Sequence, residues 1–241
     1  MLTHKQFLQT VLTSFKCFID SGTSRSTSKL KPLHGAIAAD LAKALGSGYR
    51  VAAQGYGEGK EAVIQGRYID KAVDITVQRA ADGKAVAGIG VKFVMQNYWQ
   101  NSNNYFENML GETANIRAAL VPYFQVFVIL DRLPYYKNSG ELAKWETMTP
   151  HNMQKYCMLT NDNADRFPHT PNKTLVCVAH ITPEAQCTTK KEYLDFYRTH
   201  KDRLRISDSP NKYPDLAPAG TVILNDYRTF MDKVFHTIKA L

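Results

Sequence analysis

The sequence predicts an α/β fold in a single domain spanning residues 1–241. Three observations carry that prediction. Helical spacing of apolar residues gives way to two-residue alternation near residue 49 and returns near residue 101. The order helix, three strands, helix, strand is readable between residues 33 and 131, and neither an internal repeat nor a linker divides the chain. A chain of 241 residues with 44% apolar content can bury one large core, which excludes disorder, collagen and coiled coil as global descriptions.

The first helix is expected over 4–19, where Phe7, Leu8, Val11, Leu12, Phe15, Phe18 and Ile19 follow helical spacing behind Thr3, an N-cap residue type. Residues 20–32 are rich in Ser and Thr with three basic groups and read as a solvated loop. A second helix over 33–46 ends at Gly46-Ser47-Gly48. Strands are expected at 49–56, 72–79, 85–94, 124–131 and 174–180, and a third helix at 101–120. Residues 190–205 read as a basic helix with Tyr193, Leu194 and Tyr197 on its apolar side. The core is placed at about 33–180, with the first helix and residues 181–241 peripheral.

No stretch approaches the ~18 consecutive apolar residues of a membrane span. The first twenty residues lack a secretory pattern, so an intracellular, cytoplasmic protein is expected. The four cysteines (Cys17, Cys157, Cys177 and Cys187) form no C-x-x-C pair and are expected to be reduced thiols. The net charge of +8 suits a polyanion or a small anionic substrate. It is spread along the chain, with 14 basic and 9 acidic groups in residues 1–120, so it is not a basic tail.

Several chemistries drop out on motif grounds. GYGEGKE at 55–61 lacks the Gly and the Ser/Thr of a phosphate loop and breaks the dinucleotide pattern, so it reads as a hairpin turn. The seven histidines show no paired metal spacing, and no G-x-S-x-G elbow is present.

The informative stretch is 72–112. Side chains alternate along a strand, so Val73, Ile75 and Val77 share one face and Asp74 lies on the other with Ala72 and Thr76. On the next strand Ile89, Val91 and Phe93 share a face, opposite Gly88, Gly90 and Lys92. Asp82-Gly83 signals a hairpin between the two. Pairing then sets Asp74 and Lys92 on neighbouring strands beside a face lined with glycine, where a ligand can approach closely.

With Asp74 in AVDITV and Gly90-Val91-Lys92 in GIGVKF, the chain resembles the PD-(D/E)XK nuclease superfamily, the fold of type II restriction endonucleases. The resemblance covers about residues 33–131. It implies a restriction-endonuclease-like core of helix, three-stranded meander, helix and strand, built on a central mixed sheet flanked by helices. It implies Mg²⁺-dependent, sequence-specific cleavage of double-stranded DNA to 5′-phosphate ends by a homodimer in a prokaryotic cell. A structure-directed repair or recombination nuclease and a catalytically inactive DNA-binding relative are the alternatives.

Gly90 stands where that family has Glu or Asp. Some members supply the carboxylate from the following helix, and here Glu107 lies 15 positions after Lys92 and Glu112 lies 20 after. On a helical wheel Phe106, Met109, Leu110, Thr113, Ile116 and Leu120 form the buried stripe, with Glu107 and Glu112 flanking it about 140° apart. Spacing favours Glu107, with Glu112 as the backup acid. The resemblance therefore assigns Asp74, Lys92 and Glu107 to catalysis, and Asp74, Glu107 and the Val91 carbonyl to the metal. Helix 101–120 carries many amides (Asn101, Asn103, Asn104, Asn108 and Asn115), although Asn is a poor helix former. Asn103, Asn104 and Arg117, with Lys29 and Lys31 of the preceding loop, are the candidate DNA contacts.

Overall fold

The computed structural model describes residues 1–23, 27–214, 216 and 220–241. The first half of the expected loop 20–32 thus lies partly outside the described residues, while residues 27–30 form a 3-10 turn. Helix α1 (His4–Ser21) starts at the capping box of Thr3 and Gln6 and ends at left-handed Gly22. Its seven expected apolar residues are all buried. Helix α2 (Lys31–Leu45) carries a Pro in its first turn, where the missing N–H has no helical partner to lose.

The sheet is a curled, mixed seven-stranded layer flanked by helices. Strands β1 (Tyr49–Ala53), β4 (Ile75–Arg79) and β5 (Ala85–Val94) run antiparallel. The turn joining β4 to β5 is closed by Arg79 N–H on the Lys84 carbonyl, with Gly83 left-handed. Helix α3 (Tyr98–Arg117) then crosses over, and β6 (Tyr123–Leu130) pairs parallel to β5. Strand β9 (Lys173–Thr182) is parallel to β6; its far edge takes β10 (Arg205–Asp208) antiparallel and β11 (Val222–Leu224) parallel. Every residue of β6 is buried, as expected of a central strand covered on both faces.

Several expectations are corrected. The strand expected over 72–79 is two strands. Residues up to Val73 belong to a two-stranded hairpin, β2 (Ala62–Gln65) with β3 (Asp70–Val73), while Ile75 onward belongs to the main sheet. Val73 therefore packs with Ile64, Ile116 and Tyr123 in a small satellite cluster, away from Ile75 and Val77 in the main core. The GYGEGKE segment is not a hairpin turn between paired strands, since β1 and β2 sit in different sheets. Helix α3 ends at Arg117, and Leu120, expected in its buried stripe, is left-handed and 91% exposed.

The chain ends are not peripheral. Phe7, Phe15 and Phe18 of α1 and Phe230 of α6 (Tyr227–Lys239) are fully buried in the main core. Tyr227 stacks on Phe7 and donates its hydroxyl to Asp40 Oδ2 at 3.0 Å, tying the last helix to α1 and α2. The basic helix is shorter than expected: α5 (Lys190–Thr199) gives way to a 3-10 turn and then β10. Its Tyr193, Leu194 and Tyr197 are buried as expected. A hairpin of β7 (Arg132–Tyr136) and β8 (Leu142–Thr147), followed by α4 (Pro150–Leu159), fills the connection from β6 to β9. All four cysteines are free. Among the described residues no helix is long and apolar enough to cross a membrane.

Candidate functional site

Asp74 is the residue at which the chain leaves the small hairpin and enters the main sheet. The register Ile75↔Ile89 brings it to the middle of β5, and its Oδ2 accepts the Val91 N–H at 2.7 Å. Its carboxyl is raised to about 6, by burial first and with Glu112 adding to the rise, against the opposing pull of that N–H, Lys71 and Lys92. A carboxylate held partly dehydrated in this way has a strong demand for a positive partner.

Asp74 opens onto a cleft of about 310 Å³ shared with Gly90, Lys92, Tyr105, Glu112 and Gln125. The Lys92 ammonium sits 4.4 Å from the centre of the Tyr105 ring. Burial lowers its pKa and the Asp74 charge raises it. The cleft thus brings together Asp74 and Lys92, which alternation sets on neighbouring strands, and Val91 also lines it.

The two helix carboxylates part company. Glu112 lines the cleft, where its Oε2 pairs with Lys71 at 2.9 Å and its Oε1 accepts the Tyr123 hydroxyl. Glu107 is exposed, does not line the cleft, and acts electrostatically on Lys155 instead. The preference for Glu107 over Glu112 is corrected by this placement. Counting positions from Lys92 misjudged the reach, because α3 begins three residues earlier than expected and packs against β6.

Gly90 is empty of side chain for a steric reason. A Cβ there would meet the Tyr123 hydroxyl at 2.6 Å and Gln125 Nε2 at 2.7 Å. Gln125 faces Gly90 directly across the β5–β6 ladder and is buried. The volume of an acid at position 90 is taken by these two polar side chains.

The expected DNA contacts divide. Asn103 and Asn104 are exposed on α3, and Asn103 borders a groove with Lys155. Lys29 is buried in the 3-10 turn, and its pKa is lowered to about 8 by burial and then by the charges of Lys92 and Lys190. Lys31 is exposed at the start of α2. Arg117 is not available: its Nη1 donates to the carbonyls of Ala164, Phe167 and Thr170, pinning the loop before β9. Of the other amides, Asn115 is buried and clamps the β2–β3 turn through Tyr68 N–H, Ile69 N–H and the Ile69 carbonyl. Arg198 of α5 donates to the Ile19 carbonyl and Lys201 of the following 3-10 turn pairs with Asp20, so both serve the packing against α1.

Sequence reasoning missed two neighbours of Asp74. His34 of α2 and Glu61 of the β1–β2 connection lie with Asp74 such that one ligand atom of each falls within 4.8 Å of the others. The available signal was a histidine on the apolar face of α2, between Leu33 and Ile37. No family model, curated protein or solved structure matches the chain.

Proposed function

We propose that this chain is a Mg²⁺-dependent endonuclease of double-stranded DNA with a restriction-endonuclease-like core. The observation that supports it most is the cleft in which Asp74, Lys92 and Glu112 converge from two strands and a crossover helix. Around it, the element order α2, β1, β4, β5, α3, β6 is that of the superfamily the sequence resembles. The small hairpin β2–β3 is an insertion in that order.

The donor set fits the ion. Asp74 and Glu112 offer carboxylate oxygens, and the Val91 carbonyl is a third candidate, which matches the hard-oxygen preference of Mg²⁺. When bound, Mg²⁺ neutralises charge on the phosphate and lowers the pKa of a coordinated water. The protein's own contribution is positional. The Val91 N–H fixes one oxygen of Asp74, leaving the other to the ion. Tyr105 restrains the Lys92 ammonium over the cleft, where it orients the attacking water and stabilises the hydroxide that forms. Lys71 and the Tyr123 hydroxyl hold Glu112 toward the cleft.

A second groove beside the cleft is bordered by Lys29, Lys92 and Asn101, groups of the kind that contact phosphates. In this reading the exposed Asn103 and Asn104 contact the duplex, cleavage is sequence-specific, and a homodimer supplies one site per strand. Incubation of unmethylated duplex DNA with the chain and Mg²⁺, followed by end-group analysis, tests the reading. It expects 5′-phosphate and 3′-hydroxyl ends from the parent and none from Asp74→Asn. Binding without cleavage would support the inactive relative, and cleavage confined to branched or nicked substrates the repair nuclease.

A further inference from the structure

Around Asp74 the chain also gathers a second group of donors, from α2 and the β1–β2 connection. His34 is 3% exposed, and among the described residues neither of its ring nitrogens has a hydrogen-bond partner. A buried imidazole left in that state carries an uncompensated desolvation cost at each unmet polar atom. Native structures hold few such groups, and an ion is one recognised reason for them. Glu61 and Asp74 each bring a carboxylate oxygen to within 4.8 Å of a His34 nitrogen and of each other.

The backbone is shaped to bring them there. A Cβ on Gly35 would lie 2.4 Å from the Gly55 carbonyl, and one on Gly55 would lie 2.3 Å from the Lys31 carbonyl. Gly55 is also left-handed, at φ +80°. The paired glycines let the connection press directly against the first turn of α2. Beyond that contact, Gln54 Nε2 donates to Glu61 Oε1 at 2.8 Å and turns the Glu61 carboxylate inward, with its second oxygen left over. The glycine-rich GYGEGKE segment therefore has a role as the support of Glu61.

We propose that His34, Glu61 and Asp74 form a seat for a divalent transition-metal ion, with Mn²⁺ or Zn²⁺ preferred over Mg²⁺. Ions of this class hold imidazole and carboxylate ligands at about 2.0–2.2 Å, which sets the ligand atoms roughly 3–4 Å apart. The three donor atoms all lie within 4.8 Å of one another, near that spacing. One nitrogen among the donors disfavours Mg²⁺, which keeps to oxygen, and favours the borderline metals. The seat shares Asp74 with the nuclease reading and rests on that reading only for what the ion would do there.

The test is Mn²⁺ titration of the full chain without DNA, with affinity followed by the electron paramagnetic resonance of free Mn²⁺. Pulsed measurement of the bound ion then reports directly coordinated nitrogen. The expected result is one bound Mn²⁺ with ¹⁴N modulation, changed to the ¹⁵N pattern when histidine alone is ¹⁵N-labelled, and poorly displaced by equimolar Mg²⁺. His34→Ala should abolish the modulation and weaken binding about 10-fold or more. Glu61→Gln, in a partly exposed loop where folding is not at risk, should weaken binding while the modulation remains. Absence of Mn²⁺ binding, a bound ion without nitrogen modulation, or unchanged affinity in Glu61→Gln would each overturn the proposal. A chain that binds Mn²⁺ through histidine yet cuts no DNA keeps the seat and loses the nuclease reading. One that cuts DNA with Mg²⁺ and shows no nitrogen modulation does the reverse.

Discussion

Gly90 and Gln125 face each other across the parallel β5–β6 ladder, and the Gln125 side chain occupies the space that a side chain on Gly90 would need. The second carboxylate of the cleft therefore enters from α3 as Glu112, held by Lys71 and Tyr123.

Installing an acid at position 90 is then expected to harm the protein. Tyr123 is fully buried and cannot give way freely. Gly90→Glu should lose about 1–3 kcal/mol of stability from overpacking, read as a lower urea midpoint. Adding Gln125→Ala should recover part of the loss. A Gly90→Glu protein as stable as the parent would mean that the contact is not as close as it stands.

The two helix carboxylates should separate in function. Glu112→Gln should lower Mg²⁺-dependent cleavage on the order of 100-fold or more, as loss of a metal ligand does. Glu107→Gln should leave the rate within about two-fold, because that side chain is exposed and outside the cleft. Equal losses in both variants would contradict this placement.

How much of this was readable from sequence is uneven, and the reasons are physical. Asp74 and Lys92 were legible because period-two alternation and the Asp82-Gly83 turn fix which strands pair and which faces match. The break at Asp74 was not, since alternation runs unbroken through Ala72, Val73, Asp74 and Ile75 although the chain changes sheets there. The β2–β3 hairpin has strands of four residues each and depends on Asn115, 42 positions beyond Val73, to hold its turn. Such short strands carry little local signal. His34 and Glu61 are distant in sequence and meet only because Gly35 and Gly55 allow two backbones to touch. Strand β7 was hidden by Pro134, which argues against a strand unless the strand lies at an edge.

Arg117 should prove to be a structural residue. Its guanidinium serves three backbone carbonyls before β9. Arg117→Ala should cost about 1–3 kcal/mol, seen in thermal or urea unfolding, because those carbonyls lose a charged donor. Affinity for a DNA duplex, measured below the unfolding range, should stay within about two-fold. A large loss of DNA affinity at unchanged stability would return Arg117 to the DNA interface.

Lys29 should govern part of the pH dependence of stability. Its pKa falls from 10.5 to about 8 on folding, through burial first and then repulsion from Lys92 and Lys190. Between those two values the unfolded chain binds more protons than the folded one, so stability rises as pH increases from about 8 to 10.5. Below pH 8 the folded protein carries the full cost of the buried ammonium. Lys29→Met should raise stability at pH 7 on the order of 1–2 kcal/mol and remove that rise, measured by urea midpoints from pH 7 to 10. Parallel pH profiles for parent and variant would contradict the assignment.

The central claim is that Asp74, Lys92 and Glu112 form a phosphodiester-cleaving cleft. Its most direct test is digestion of unmethylated supercoiled plasmid with and without Mg²⁺, comparing the parent chain with Lys92→Ala. The account predicts discrete Mg²⁺-dependent fragments from the parent and their loss in the variant, with both proteins equally folded. Intact plasmid under all conditions and across varied DNA, or equal cleavage by Lys92→Ala, would contradict it.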